Sequence, residues 1–300
     1  MEDLSVQIGD LRLKNPVMPA SGTFSDELEQ VFDLEMLGAH VLKTVTPQPR
    51  QGNPPPRLWE TPAGMLNSIG IPNDGIDAFL AQTLPHYARY KTPLVVSISA
   101  ETAAKFAALC RRISVPGVSA IEANISCPNL EEDGRAFAMR PESTLAVVTR
   151  LRETTSLPLW VKLSPNTGDI AAVAQAAETA GADALVVANT ILGMAIDVEH
   201  FRPALGAVMG GLSGPATMPI NLRLVYQCRK AVALPIIGAG GISSADDAVA
   251  YLLAGASAVQ VGTATFVHPR AMISIIAGLR AFMQRKGIAR VTELVGRAVR

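Results

Sequence analysis

Three side chains in this sequence could do chemistry from otherwise apolar surroundings: Lys43, Cys127 and Lys162. Cys127 lies in the run Ala-Asn-Ile-Ser-Cys-Pro-Asn at 123–129, which follows directly on an apolar, strand-like segment at 118–125. Pro128 has no N–H to donate, so it ends regular pairing and leaves Cys127 at the start of a loop. A thiol there can exchange a proton near neutral pH if its surroundings stabilise the thiolate, which makes it a candidate acid/base. A free cysteine is more often a small buried hydrophobe. The amide of Asn124 and the hydroxyl of Ser126 beside it favour the functional reading. Lys43 and Lys162 fall in short apolar runs at 41–45 and 159–163. A lysine in a buried strand is costly unless its charge has a partner or its stem snorkels to solvent. The functional reading is that each faces an anion.

The elements that must position these groups follow a regular rhythm. Apolar runs at 16–20, 41–45, 94–99, 118–125, 159–163, 184–188, 235–238 and 258–262 read as strands. Helical patterns separate them, at 26–37, 75–90, 101–113, 142–154, 169–180, 220–232 and 244–254, and the tail from 269 reads as one or two amphipathic helices. Several strands are apolar throughout, as expected when both faces of a parallel sheet are buried. A helix-ending Gly before a strand recurs in Leu37-Gly-Ala-His-Val, Ala180-Gly-Ala-Asp-Ala and Ala254-Gly-Ala-Ser-Ala. Eight such units predict a single (β/α)8 TIM barrel over 1–300, with a doubly wound open sheet as the alternative. Residues 4–13 alternate and turn at Gly9-Asp10, a short N-terminal β-hairpin expected to cap the bottom of the barrel.

Three segments interrupt the rhythm. Residues 46–73 and 191–218 are too long for plain connections, and loops of that length are usually functional. The first is too apolar to sit in water, so it is expected to pack over a site, with Asn67, Ser68, Ile69, Gly70 and Ile71 as its working end. Residues 129–141 are polar, without apolar periodicity, and read as a loop able to close over a bound molecule.

Composition narrows the function class. Apolar residues make up 49% and charged residues 17%, so a large core is expected. Lys plus Arg and Asp plus Glu are 26 each, which gives no support for nucleic-acid binding. No apolar run is long enough for a bilayer and no basic-then-apolar leader pattern opens the chain, so a cytoplasmic protein is the expectation. The three cysteines form no C-x-x-C pair, so neither a zinc knuckle nor an iron–sulfur site is encoded. Cys110 and Cys228 fall in helical patterns and read as core thiols.

In a barrel the functional groups gather at the C-terminal ends of the strands. Those ends carry Ser21, then Lys43 and Thr44, Ser97, Asn124 and Cys127, Lys162, Asn189 and Thr190, Gly240 and Gly241, and finally Gly262 and Thr263. Loops after the seventh and eighth strands often hold a phosphate. Gly240-Gly241 brings bare N–H groups close to a ligand there, and the helix from 244 aims its positive end at the same place.

Several runs taken together resemble the class 1B dihydroorotate dehydrogenases, the catalytic subunits of the NAD-linked enzyme. They are the 124–129 run, Asn67-Ser-Ile-Gly-Ile71, Gly52-Asn-Pro-Pro-Pro-Arg-Leu-Trp-Glu60, Ala188-Asn-Thr-Ile-Leu-Gly-Met194, Leu212-Ser-Gly-Pro-Ala216 and Gly238-Ala-Gly-Gly-Ile242. The resemblance covers nearly the whole chain. It implies a barrel that holds one FMN and oxidises dihydroorotate to orotate, with Cys127 as the base. Ser21, Lys43, Thr44, Ser97, Asn124, Lys162, Ala188, Gly214, Gly240, Gly241, Gly262 and Thr263 would contact FMN. Lys43, residues 67–71, Asn124, Asn189 and Thr190 would contact the pyrimidine. Ser97 stands where class 1B usually has Asn. FAD and a [2Fe–2S] cluster are implied only on a partner subunit, in a heterotetramer built on a homodimer of this chain. The chain itself has neither a dinucleotide fingerprint nor a cysteine cluster. Three other readings compete: a flavin barrel acting on another dihydropyrimidine, a non-redox phosphate-binding barrel with Lys162 as a Schiff-base nucleophile, and a catalytically silent scaffold for the partner subunit, which so many polar strand ends disfavour.

Overall fold

Apolar runs too short to be buried as helices fold here into a ring of parallel strands, each followed by a segment that covers it from outside. The computed structural model describes residues 2–126 and 136–300. Cys127 and the polar stretch to Arg135 therefore lie outside the described residues. The ring consists of Val17–Pro19, His40–Val41, Leu94–Ile98, Ala120–Asn124, Leu159–Lys162, Ala184–Val187, Ile236–Ala239 and Ala258–Val261. From the second strand to the eighth, each pairs in parallel with the next, and the eighth also pairs with the first. The Gly38 N–H donates to the Val17 carbonyl at 2.9 Å, which joins the chain entering the second strand to the first and closes the ring. This is the (β/α)8 barrel and not the open sheet.

The covering helices include Ala103–Ile113, Pro141–Arg152, Ile170–Thr179, Met218–Ala231, Ala245–Leu253 and Ala271–Lys286. Thr102, Asp169 and Ser244 start three of them by accepting an N–H three residues on, the usual work of such side chains at a helix N-terminus. The hairpin pairs Val6–Ile8 with Leu11–Leu13. Gly9 approaches Asp183, beside the start of the sixth strand, so the hairpin does cap the N-terminal face of the barrel.

Three expectations need correction. Residues 26–37 are not an α-helix but two 3-10 turns, Asp26–Gln30 and Leu34–Met36, because Ser25 and Asp33 each cap a separate start. The helix over 75–90 is interrupted by a π turn at Phe79–Thr83, just before Pro85, whose ring and missing N–H disturb the regular ladder. The two long insertions are not irregular loops. Together they form a four-stranded antiparallel sheet in the order Ile191–Met194, Met209–Ser213, Gly64–Asn67, Leu58–Thr61. Its glycines hid it, because Gly in a strand usually argues against one. Here Gly211 is needed, since a Cβ would lie 2.0 Å from the Thr190 hydroxyl. Among the described residues no helix is long and apolar enough to cross a membrane.

Candidate active site

The strand ends and the inserted sheet enclose a cavity of about 880 Å³, at the upper end of the range for small-molecule sites. Ser21, Lys43, Thr44, Asn124, Lys162, Ala188, Asn189, Thr190, Gly214, Gly240, Gly241, Gly262 and Thr263 all line it. So do Asn67, Ser68, Ile69, Gly70 and Ile71, carried there by the inserted sheet. Ile71 holds a left-handed φ of 53°, a conformation a β-branched residue keeps only when its surroundings impose it.

One predicted wall residue is misplaced. Ser97 is buried and does not line the cavity; its hydroxyl shares a 2.9 Å hydrogen bond with that of Thr44. A serine is too short to pass Thr44, so it supports the wall from behind. Cys127 lies outside the described residues. Ser126, the residue before it, lines the cavity.

At one side of the cavity, amides and hydroxyls form a chain. Asn124 Nδ2 lies 3.4 Å from Thr44 Oγ1, and Ser126 donates to Asn124 Oδ1 at 2.9 Å. Asn189 Nδ2 donates to Ser126 Oγ at 2.9 Å, while its Oδ1 accepts the Thr190 N–H at 2.8 Å. Such a chain fixes which way each amide points, and amides offer both a donor and an acceptor to a flat polar ring. Asn166, which also lines the wall, was not singled out in the sequence, whereas Ser126 was noted only as the hydroxyl beside Cys127. Asn166 lies four positions past Lys162, where its strand ends, outside the strand-end residues that stand out in the sequence.

At the other side lies the glycine corner. Gly240 and Gly241 have φ of 115° and 74°, and among the described residues their N–H groups and that of Thr263 donate to no protein acceptor. The peptide is held from behind: Tyr251 Oη donates to the Gly240 carbonyl at 2.6 Å, and burial raises the Tyr251 pKa, which keeps that donor protonated. The helix behind contributes less than expected. Asp247 accepts from the Ser243 and Ser244 N–H groups at 2.9 Å each, so its carboxylate already occupies that N-terminus.

The two lysines differ. Lys162 is 4% exposed; its Nζ donates to Ser21 Oγ at 3.1 Å and lies 3.7 Å from Glu122 Oε1. Lys43 stands at the rim with its head accessible. Partial burial first, and the Arg57 guanidinium second, push its pKa below the ordinary lysine value. The remaining cysteines are core thiols as expected: burial pushes the Cys228 thiol up to about 12 and the Cys110 thiol upward too, which suppresses the reactive thiolate.

Comparison with known proteins agrees with this geometry. The profile of the dihydroorotate dehydrogenase family matches residues 3–283. A protein of Desulforudis audaxviator named "Dihydroorotate dehydrogenase B (NAD(+)), catalytic subunit" is 51% identical over 299 residues, covering 99% of this chain and 97% of that protein. Proteins of the same name from Trichlorobacter lovleyi and a Thermoanaerobacter species are 50% and 46% identical over 296 residues each. Both matches cover 98% of this chain, and 97% and 98% of those proteins.

Proposed function

The chain belongs to the dihydroorotate dehydrogenase family, and from that membership and the cavity we propose that it oxidises (S)-dihydroorotate to orotate in pyrimidine biosynthesis with one bound FMN. The observation that carries the reading is the cavity itself, where unpaired glycine amides, a buried ammonium and a row of oriented amides meet. FMN, when bound, supplies the hydride acceptor that no side chain here can provide.

The residues fit such a group. The N–H groups of Gly240, Gly241 and Thr263 would hold its phosphate, as bare backbone amides do for anions. Ser21, Lys43, Thr44, Asn124, Lys162, Ala188, Gly214 and Gly262 would form the remaining wall. The substrate would lie against Lys43, residues 67–71, Asn124, Asn189 and Thr190. The oriented amides of Asn124 and Asn189 match a ring bearing both N–H and C=O groups. Lys162 puts a fixed positive charge where negative charge grows, the oxyanion-hole kind of stabilisation. The Cys127 thiolate takes the proton from one ring carbon as the hydride leaves its neighbour. Orotate and a protonated Cys127 would result, the hydride going to the acceptor that bound FMN would supply.

The relatives' name, a catalytic subunit linked to NAD(+), supports a division of labour. Electrons would leave through a partner subunit with FAD and a [2Fe–2S] cluster, in a cytoplasmic heterotetramer built on a homodimer of this single-domain chain. The test is the absorbance of the purified chain. It should be yellow and bleach on addition of dihydroorotate; a colourless protein would end the reading. Cys127→Ser should keep bound FMN and lose about 10²–10⁴-fold in turnover near neutral pH. Near-normal activity would remove Cys127 from the role of base. The chain alone should reduce an artificial acceptor but not NAD.

A further inference from the structure

Under the cavity floor lies a charge that the reading above does not use. Glu122, on the fourth barrel strand, is 0% exposed. Its two oxygens differ. Oε2 accepts from Gln260 Nε2 at 2.6 Å. Among the described residues Oε1 has no hydrogen-bond donor, and it faces the Lys162 ammonium at 3.7 Å. That ammonium spends its hydrogen bond on Ser21 Oγ, at 3.1 Å. Ser21 therefore sets where Lys162 sits, while Glu122 acts on it through charge. Such a pair is buried, so salt in the solvent screens it little. A buried carboxylate is costly, and an uncharged residue of similar volume would serve packing as well or better. Packing alone does not account for a glutamate here.

We propose that Glu122, held by Gln260, is a positioning residue that offsets part of the Lys162 charge and so sets how strongly the cavity floor prefers an anionic ring over a neutral one. The inference rests on the FMN reading in one respect: the anion is the reduced flavin. Glu122 touches neither cofactor nor substrate; it acts through Lys162. With the carboxylate gone, the ammonium faces the cavity uncompensated and binds the reduced, negatively charged ring more tightly relative to the oxidised one.

The experiment is the midpoint potential of FMN in the holoprotein, read together with the oxidised-FMN dissociation constant of the apoprotein. Glu122→Gln keeps the shape and removes the charge. It should favour reduced over oxidised FMN by at least tenfold, an upward shift of about 30 mV for a two-electron couple, with FMN stoichiometry unchanged. Glu122→Asp keeps the charge but draws it back by one methylene, so it should shift the potential the same way by a smaller factor. That second variant also carries the test if Glu122→Gln does not fold. A ratio that moves less than twofold in both variants overturns the inference. A downward shift overturns it as well, because it would mean that Glu122 fixes the place of Lys162 and does not temper its charge. A parent protein that binds no FMN overturns the reading of the site, whereas a yellow parent whose variants do not move overturns this inference alone.

Discussion

The two ends of the barrel handle their polar groups in opposite ways. At the N-terminal floor, where the fifth and sixth strands begin, they are paired within the chain. Asp183 Oδ2 accepts from Arg152 Nη1 at 2.8 Å and from the Leu159 N–H at 2.7 Å, and Arg152 Nη2 donates to the carbonyls of Thr155 and, at 2.9 Å, Leu157. One side-chain pair thus closes the backbone groups where the fifth and sixth strands begin. At the C-terminal mouth the N–H groups of Gly240, Gly241 and Thr263 are left open among the described residues. These half-exposed N–H groups are free to donate to an anion that enters the cavity. The floor holds the fold together, and the mouth is completed by what it binds, the usual division in such barrels.

Two left-handed glycines put that contrast to a direct test. Gly241 stands at the mouth with φ 74°, and Gly287 ends the last long helix near the floor with φ 65°. An L side chain in that conformation costs about 1–2 kcal/mol at either place. A Cβ at Gly241 would also lie 2.6 Å from that of Met218, whereas one at Gly287 meets nothing within 4 Å. Gly241→Ala should therefore turn the amides away from the phosphate and weaken FMN binding at least tenfold, measured by fluorescence titration of the apoprotein. Gly287→Ala should lower the melting temperature by a few degrees and leave FMN affinity unchanged. If both variants lose FMN equally, the two ends of the barrel are not separable.

The same contrast explains what the sequence revealed. Strand ends such as Lys43-Thr44 and Asn189-Thr190 stood out because polar residues are rare next to an apolar run, and they do line the cavity. Ser97 stood at such an end too, but a neighbour's bulk decides whether so short a side chain reaches the cavity, and no spacing rule encodes that. Glu122 and Gln260 lie mid-strand, one residue each inside runs that read as core. Their charge and amide were visible, but not that they face each other across the barrel from the fourth and eighth strands. The inserted sheet's two outer pairings are local, but the central one, which makes it a single sheet, joins segments about 145 residues apart, Gly211 with Asn67 for example. Local pattern carries the alternation of helix and strand and says little about such distant partners.

At the floor, Arg152→Met sharpens the comparison from the other side. It removes the donors to Asp183 and to two carbonyls while keeping an apolar stem. Part of the pair is open to solvent, which weakens its ionic share, so the loss should be about 1–2 kcal/mol, mostly from hydrogen bonds. Chemical denaturation would show it. Turnover per folded molecule and FMN content should not change; a drop in either would tie the floor to the chemistry.

The smallest effect expected is the titration of His40, at the floor end of the second strand. Its ring is fully buried, stacked on Phe24 with centroids 5.5 Å apart and edge-on to Tyr90 at 5.1 Å. Nε2 donates to the Leu34 carbonyl at 3.0 Å, because that oxygen can only accept, and among the described residues Nδ1 has no partner. Burial, the larger cause, outweighs that carbonyl and lowers the pKa from its ordinary value of 6.5. The sign follows. Below about pH 6.5 the unfolded chain takes up a proton that the folded ring refuses, so this part of the stability is present above that pH and is lost as pH falls toward the depressed folded value. The slope cannot exceed about 1.4 kcal/mol per pH unit for one group. His40→Phe keeps the aromatic packing and removes the titration, so its melting temperature should fall less steeply than the parent's between pH 6.5 and 5.5. An identical slope would place the acid sensitivity elsewhere. A matching change in FMN affinity would show the mouth responding to a proton at the floor, against the separation of the two ends.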